Sequence, residues 1–187
     1  MRIISGKYKG KKLINPSNDE IRPSSDRLRE TIFNVLDGGR YGNILDGELI
    51  IDLFSGTGAL GLEAVSRGNP KKVIFVDNSQ KSVNIINSNI ESLKLNREKT
   101  KVLLKDATDW IDWKEEKIGL IFSDPPYFKD LSIIALTALA KIQAIKNGAI
   151  IILENAKNEE IPEINNFDLI ETRKIGKSKI NFFVFKN

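Results

Sequence analysis

The chain has no cysteine and no histidine. Together these absences exclude thiol nucleophiles, imidazole bases and the usual zinc ligands, so no metal site is expected. No apolar run approaches the ~20 residues needed to span a bilayer, and nothing is expected to anchor the chain in a membrane. The opening residues Met1-Arg2-Ile3-Ile4-Ser5-Gly6 lack the apolar core and small-residue cleavage site of a secretory signal. A cytoplasmic location is therefore expected, and the missing cysteine is compatible with it. Any chemistry must rely on carboxylates, hydroxyls, backbone groups or a borrowed reagent.

A chain of 187 residues has room for one hydrophobic core and a small appendage, but is short for two full domains. Its 41% hydrophobic and 29% charged residues are a globular balance. The net charge of +4 is modest, so its distribution carries more information than its size. Residues 1–12 hold Arg2, Lys7, Lys9, Lys11 and Lys12 without one acid, and Arg22, Arg27 and Arg29 follow. A second cluster, Arg173, Lys174, Lys177 and Lys179, lies near the other end. Solvated lysines on exposed strands would account for either cluster alone. Two clusters flanking a catalytic-looking middle point to a polyanionic partner.

The segment RIISGKYKGKKL (2–13) reads as a short hairpin or strand pair, followed by an irregular Asn-, Pro- and Ser-rich stretch to Pro23. Ser24 or Ser25 can cap a helix that places Leu28, Ile32, Val35 and Leu36 on one face and stops at Gly38-Gly39. Residues 1–40 thus form a basic extension, and 41–187 the catalytic domain. Within the latter, LIIDLF (49–54), KVIFVD (72–77), KVLL (101–104), IGLIFSD (118–124) and AIIILE (149–154) read as buried parallel strands. Helices are expected at 58–67, 79–95 and 129–146, with an ambiguous short stretch at 106–113. Such alternation specifies an α/β, doubly wound sheet. FDLIETRKI (167–175) and KINFFVFKN (179–187), joined by Gly176-Lys177-Ser178, break the rhythm and predict an antiparallel terminal hairpin.

Asp52-Leu53-Phe54-Ser55-Gly56-Thr57-Gly58-Ala59-Leu60-Gly61 links the first core strand to the next helix, and Gly56, Gly58 and Gly61 satisfy G-x-G-x-x-G. Asp77 closes the second strand about twenty residues on, where a ribose-binding carboxylate belongs. A nicotinamide dinucleotide would lay its pyrophosphate against the glycines, and a carboxylate there repels it. Asp52, just before the loop, better suits the ammonium and sulfonium end of S-adenosylmethionine. Asp106 follows the third strand and could accept from the adenine amino group or cap residues 107–112.

Ser123-Asp124-Pro125-Pro126-Tyr127 ends the fourth strand at the edge where open α/β sheets place reactive groups. Two prolines fix φ and remove two donors, leaving the carbonyls of Asp124 and Pro125 rigid and free to accept. An exocyclic amine conjugated with its ring is a poor nucleophile. Accepting its two N–H groups on the Asp124 carboxylate and the Pro125 carbonyl would localise the lone pair, and Tyr127 could stack on the extruded base.

In order along the chain, RIISGKYKGKKL, IRPSSDRLRETIFNVL, IDLFSGTGALGLEAVSRG, VIFVD, the DPPY turn and the closing basic hairpin resemble the RsmD family of bacterial 16S ribosomal RNA guanine-N2 methyltransferases. The glycine loop and DPPY recur in many amino-methyltransferases, so RPSSDRLRE and DLFSGTGALGLEAVSRG supply the specificity of the match. The resemblance implies a Rossmann-like class I fold with a mostly parallel seven-stranded sheet, and methylation of 16S rRNA in the small ribosomal subunit. It implies S-adenosylmethionine binding by Asp52, Phe54, Gly56, Gly58, Asp77 and Asp106, and base handling by Asp124, Pro125, Pro126 and Tyr127. RNA contacts are expected from Arg2, Lys7, Lys9, Lys11, Arg22, Arg27 and Arg29, and a monomer is expected. Glu154 also matches the family without an assigned role, and nothing transfers to 155–166. The rival readings are an amino-methyltransferase of DNA adenine or cytosine or of another rRNA guanine, and a non-enzymatic RNA-binding assembly factor. A nicotinamide oxidoreductase leaves DPPY and Asp52 unexplained.

Overall fold

The computed structural model describes residues 1–15 and 25–187. The apolar run after Glu48 becomes strand β1 (Leu49–Leu53), buried along its whole length as a central parallel strand must be. It is followed by α2 (Ala59–Arg67), β2 (Lys72–Asp77), α3 (Gln80–Ser92), β3 (Thr100–Leu104), β4 (Ile118–Ser123), α4 (Leu131–Lys141), β5 (Ile145–Ala156), β6 (Phe167–Ile175) and β7 (Ser178–Phe185), with α1 (Asp26–Asp37) preceding them. The seven strands form one sheet in the order β3-β2-β1-β4-β5-β7-β6, with β7 antiparallel to both β5 and β6. Chain order runs from β1 to β3 in one direction and from β4 to β5 in the other. The switch point, where such sheets open a crevice, therefore lies between the carboxyl ends of β1 and β4.

Side chains alternate between two cores. Ile50, Val73, Phe75, Leu120, Phe122, Ile150 and Ile152 pack with α1, α2 and α3. Ile51, Leu53, Ile74, Val76, Ile121, Ile151 and Leu153 pack with α4 and with the segment that carries Trp110 and Trp113. Helix α2 lies flush on the sheet because Gly61 has no side chain: a Cβ there would meet Phe75 Cε1 at 2.4 Å and Val73 Cγ1 at 3.0 Å.

Two elements expected after residue 100 differ from what forms. The helix expected to run to 146 stops at Lys141, because Gln143 adopts φ 55° and the N–H groups of Gln143 and Ala144 turn back to the carbonyls of Ala140 and Leu139. This is a Schellman closure without glycine, and it frees Ile145 to begin β5. The 106–113 stretch forms no helix: Asp106 Oδ1 accepts from Thr108 N at 2.9 Å, closing a local turn that competes with helical pairing.

The amino-terminal extension has no core of its own. Ser25 caps α1 by accepting from Leu28 N, and Leu28, Ile32, Phe33 and Leu36 join the core shared with α2 and α3. Residues 2–13 make a single antiparallel bridge, Arg2 to Lys12, rather than paired strands. Ile3 and Leu13 are buried, and the segment is tied down by side chains of the helices beneath it. Glu63 on α2, wholly buried, accepts from Ile4 N and Ser5 N, both at 2.9 Å, and from Arg67 Nε at 2.8 Å. Ser66 Oγ accepts from Tyr8 N, while Asn89 on α3 accepts from Ile14 N and donates to the carbonyls of Ile14 and Thr57. Arg29 is wholly buried too, 3.8 Å from Glu63, and donates to Asp26 Oδ1 and Arg2 O.

Two substitutions follow from this packing. Gly61→Ala should lower stability by about 1–3 kcal/mol in denaturant unfolding, and Phe75→Leu in the same chain should recover part of the loss. Glu63→Ala removes one of the two carboxylates beside the buried Arg29 guanidinium, strands two backbone donors and should cost about 2–5 kcal/mol. An unfolding midpoint equal to that of the unaltered chain would refute either expectation.

Candidate active site

At the end of β1 the Asp52 carboxylate turns inward and accepts from Gly61 N at 2.9 Å, joining the strand to the first turn of α2. It is 2% exposed, and that burial pushes its pKa up to about 8; the Gly61 N–H works against the shift and the nearby Asp77 charge reinforces it. The intervening loop needs three left-handed residues in a short span, Phe54, Gly56 and Gly58, with φ of 57°, 55° and 77°. Ser55 fastens that loop to both strands: its hydroxyl lies 2.5 Å from the Asp52 carbonyl and accepts from Val76 N at 2.9 Å. Asp77 Oδ2 accepts from Gly56 N and its Oδ1 from Ser79 N, so the carboxylate is fixed against the loop.

Asp106 is exposed, and the Thr108 hydroxyl and N–H, both directed at Oδ1, hold its carboxyl below the ordinary carboxylate range. Its second oxygen has no part in that turn.

On the β4 side, Ser123 and Ser132 share a buried hydrogen bond of 2.8 Å that fixes the root of the DPPY turn to α4. Asp124 and Pro125 are half-exposed and Pro126 is exposed. The Tyr127 hydroxyl donates to Glu154 Oε1 at 2.8 Å and lies 2.9 Å from Ser178 Oγ. Burial drives the Tyr127 phenol up to about 12; Ser178 opposes this, and Glu154 and Asp124 add to it. At neutral pH the phenol stays protonated and serves as an anchor, not as a base. Leu153 pairs with Ser123, so Glu154 stands beside Asp124 in the next strand, 6% exposed, with Oε2 buried and without a hydrogen-bond partner among the described residues.

These residues share one cleft of about 800 Å³ at the switch point. It is lined by Asp52, Phe54, Gly56, Asp77 and Asp106 together with Asp124, Pro125, Pro126 and Tyr127. Gly58 lies below it, where a Cβ would press on Ile86 and Phe75 at 3.2–3.3 Å.

The basic residues are distributed differently from the sequence expectation. Arg27 lines the cleft. Arg2 is exposed beside Asp26. Lys7, Lys9 and Lys11 are exposed, but their loop is held by Ser66 at the far end of α2, about 13 Å of helix from the glycine loop. Arg29 is a correction: with no exposed surface and its charge engaged by Glu63 and Asp26, it holds the fold and cannot touch RNA. Arg22 lies outside the described residues. The cleft instead gathers Lys105, Lys129 and Lys177. Lys177 arrives there because β7 runs antiparallel to β5, setting the hairpin turn beside the end of β5. Sequence reading had no local signal for the Tyr127, Glu154 and Ser178 contact, whose members are 27 and 51 residues apart.

A family model described as Conserved hypothetical protein 95 matches residues 1–184. A Bacillus subtilis (strain 168) protein that carries the provisional name rRNA methyltransferase YlbH is 35% identical over 177 residues, covering 93% of this chain and 92% of its own. The Haemophilus influenzae protein named Ribosomal RNA small subunit methyltransferase D is 30% identical over 179 residues, covering 94% and 89%. Among solved structures, yhhF from Escherichia coli, provisionally called a methyltransferase, superposes with a TM-score of 0.84 at 25% identity, covering 100% of this chain and 98% of that one. Its fold is thus the Rossmann-like methyltransferase fold expected from the sequence. The near-complete match to the family model and to the named relatives, with the glycine and DPPY loops meeting in one cleft, places the chain in this family, the RsmD family of ribosomal RNA methyltransferases.

Proposed function

We propose that the chain transfers a methyl group from S-adenosylmethionine to the exocyclic N2 of a guanine in 16S rRNA of the small ribosomal subunit. Methylation of ribosomal RNA is the activity for which its relatives are named. The observation that carries an amine as the methyl acceptor is the meeting of Asp52 and Asp124, from neighbouring strand ends, in a single cleft, and the choice of guanine N2 rests on the family. One carboxylate suits a cationic reagent and the other suits an amine.

The cleft fits the cofactor on chemical grounds. A carboxyl group forced up to about 8 by burial gains most from a neighbouring cation, and the ammonium and sulfonium of S-adenosylmethionine supply one. Asp77, locked by two backbone donors, retains acceptor capacity for ribose hydroxyls. Asp106 keeps an oxygen that would accept from the adenine amino group, and Phe54, half-buried at the loop's left-handed bend, lines the same cleft and would pack against the cofactor. When bound, the cofactor supplies a methyl group on positively charged sulfur.

Asp124 and the Pro125 carbonyl would accept the two amino N–H groups of the base, drawing the nitrogen lone pair out of conjugation and fixing its direction. With the methyl carbon–sulfur bond broken and S-adenosylhomocysteine as the leaving group, the methylated nitrogen would be cationic, and the Asp124 carboxylate would stabilise that charge and take the released proton. Tyr127, with its hydroxyl clasped by Glu154 and Ser178, presents a ring that is already oriented for stacking, so little entropy is lost when a base enters. Arg27, Lys105, Lys129 and Lys177 around the opening attract the phosphates of the incoming strand.

Asp124→Asn should lower kcat for methyl transfer to undermethylated small subunits by about 100- to 1000-fold while S-adenosylhomocysteine still binds. Nucleoside analysis of the product is expected to give N2-methylguanosine, and N6-methyladenine in duplex DNA would overturn the substrate. Because the free chain favours protonated Asp52 and the bound cation favours the ionised form, affinity for S-adenosylmethionine should tighten as pH rises from about 6 to about 8 and then level off. The same linkage makes the free chain less stable as pH rises across that window. Asp52→Asn should bind more weakly and without this pH dependence, as titration calorimetry at several pH values will show.

A further inference from the structure

Phe128 follows the catalytic turn directly, and two features set it apart. Its side chain is 63% exposed, and its backbone adopts φ 58°, a conformation rare for an aromatic residue. Such an outlier persists only where its surroundings hold it. Here the holder is Glu159, in the polar 155–166 stretch: Oε1 accepts from Phe128 N at 2.7 Å and Oε2 from Ala156 N at 3.0 Å. Glu159 is itself pinned, since its carbonyl accepts from Asn155 Nδ2 and Lys179 Nζ. The ring meets Tyr127 edge to face at a centroid distance of 6.4 Å. An apolar side chain is thus held outward beside the base-handling tyrosine, next to the exposed Lys129.

We infer that Phe128 is a stacking platform for the nucleotide adjoining the target base in the RNA, and that Glu159 is the positioning residue that keeps it presented. This rests on the RNA reading above and adds a subsite to it. When one base leaves its stack to enter the cleft, its neighbour loses a stacking partner. An aromatic face at the cleft mouth replaces that partner, and the cations of Lys129 and Lys105 take the phosphates on either side. Tyr127 lines the cleft and Phe128, exposed, meets its ring from outside the lining, so the two rings serve successive nucleotides, one extruded and one retained.

The test is steady-state methyl transfer to undermethylated small ribosomal subunits by the full chain, alongside S-adenosylhomocysteine affinity. Phe128→Ala should raise KM for the subunit about tenfold, with kcat and cofactor affinity within about twofold of the unaltered chain. Phe128→Trp should keep the original KM, and Glu159→Ala should raise KM in the same direction by a smaller factor. An unchanged KM in Phe128→Ala overturns the subsite, and so does a parallel loss of cofactor affinity, which marks a purely structural role. A Phe128→Trp KM as poor as that of Phe128→Ala also overturns it, because stacking tolerates any large aromatic face. Failure of the unaltered chain to methylate any RNA overturns the underlying function instead, and is read from the control reaction.

Discussion

A single hydrogen atom at position 61 sets the distance between helix α2 and the sheet, and the site is built outward from that contact. With Gly61 pressed on Phe75, the N–H of the same residue comes within reach of Asp52, so the glycine loop is drawn closed over the end of β1. The opposite side of α2 then carries Glu63 and Ser66 outward at the depth where they hold residues 4–8. One close approach therefore places the cofactor loop on one side of a helix and the basic extension on the other. A larger residue would lift α2 and disturb both together.

The cleft separates charge by depth. Acceptors lie at the bottom: Asp52 is shut away from water, Asp77 is tied to the loop, and Asp124 follows β4 beside Glu154 in β5. Cations lie at the opening on α1, on the segments after β3 and β4, and on the terminal hairpin. Such an arrangement suits a substrate whose backbone is anionic and whose base edge offers N–H donors. The phosphates remain at the rim and only the base needs to descend. Long-range attraction and local recognition thus act on different parts of one ligand, and only the former is screened by salt.

The strands β1, β2, β4 and β7 were legible because buried strands leave apolar runs, and the glycine and DPPY loops were legible because their backbones demand particular residues. The end of α4 was not, since Gln143 makes a left-handed stop that sequence reading assigns to glycine or asparagine. Arg29 reads as one more surface cation in a basic block, and only the fold reveals that Glu63, 34 positions along the chain, lies opposite it in the core. The tyrosine clasp was hidden for the same reason: Tyr127, Glu154 and Ser178 meet only because β4, β5 and β7 are neighbours in space. Where residues share a local backbone requirement the sequence announces them, and where they share only a strand order it does not.

The stitched amino terminus also bears on how the chain is made. Ile4 is held by a residue 59 positions later and Ile14 by one 75 positions later, so the side chains that hold these residues are synthesised only when α2 and α3 have followed them. Ile3 and Leu13 stay in water for that interval, and their burial waits on loops whose closure is entropically slow. The extension thus precedes in synthesis the helices that hold it and docks after them. The lysines interspersed through it keep an otherwise sticky segment solvated while it waits, a service to synthesis that is separate from any contact with RNA.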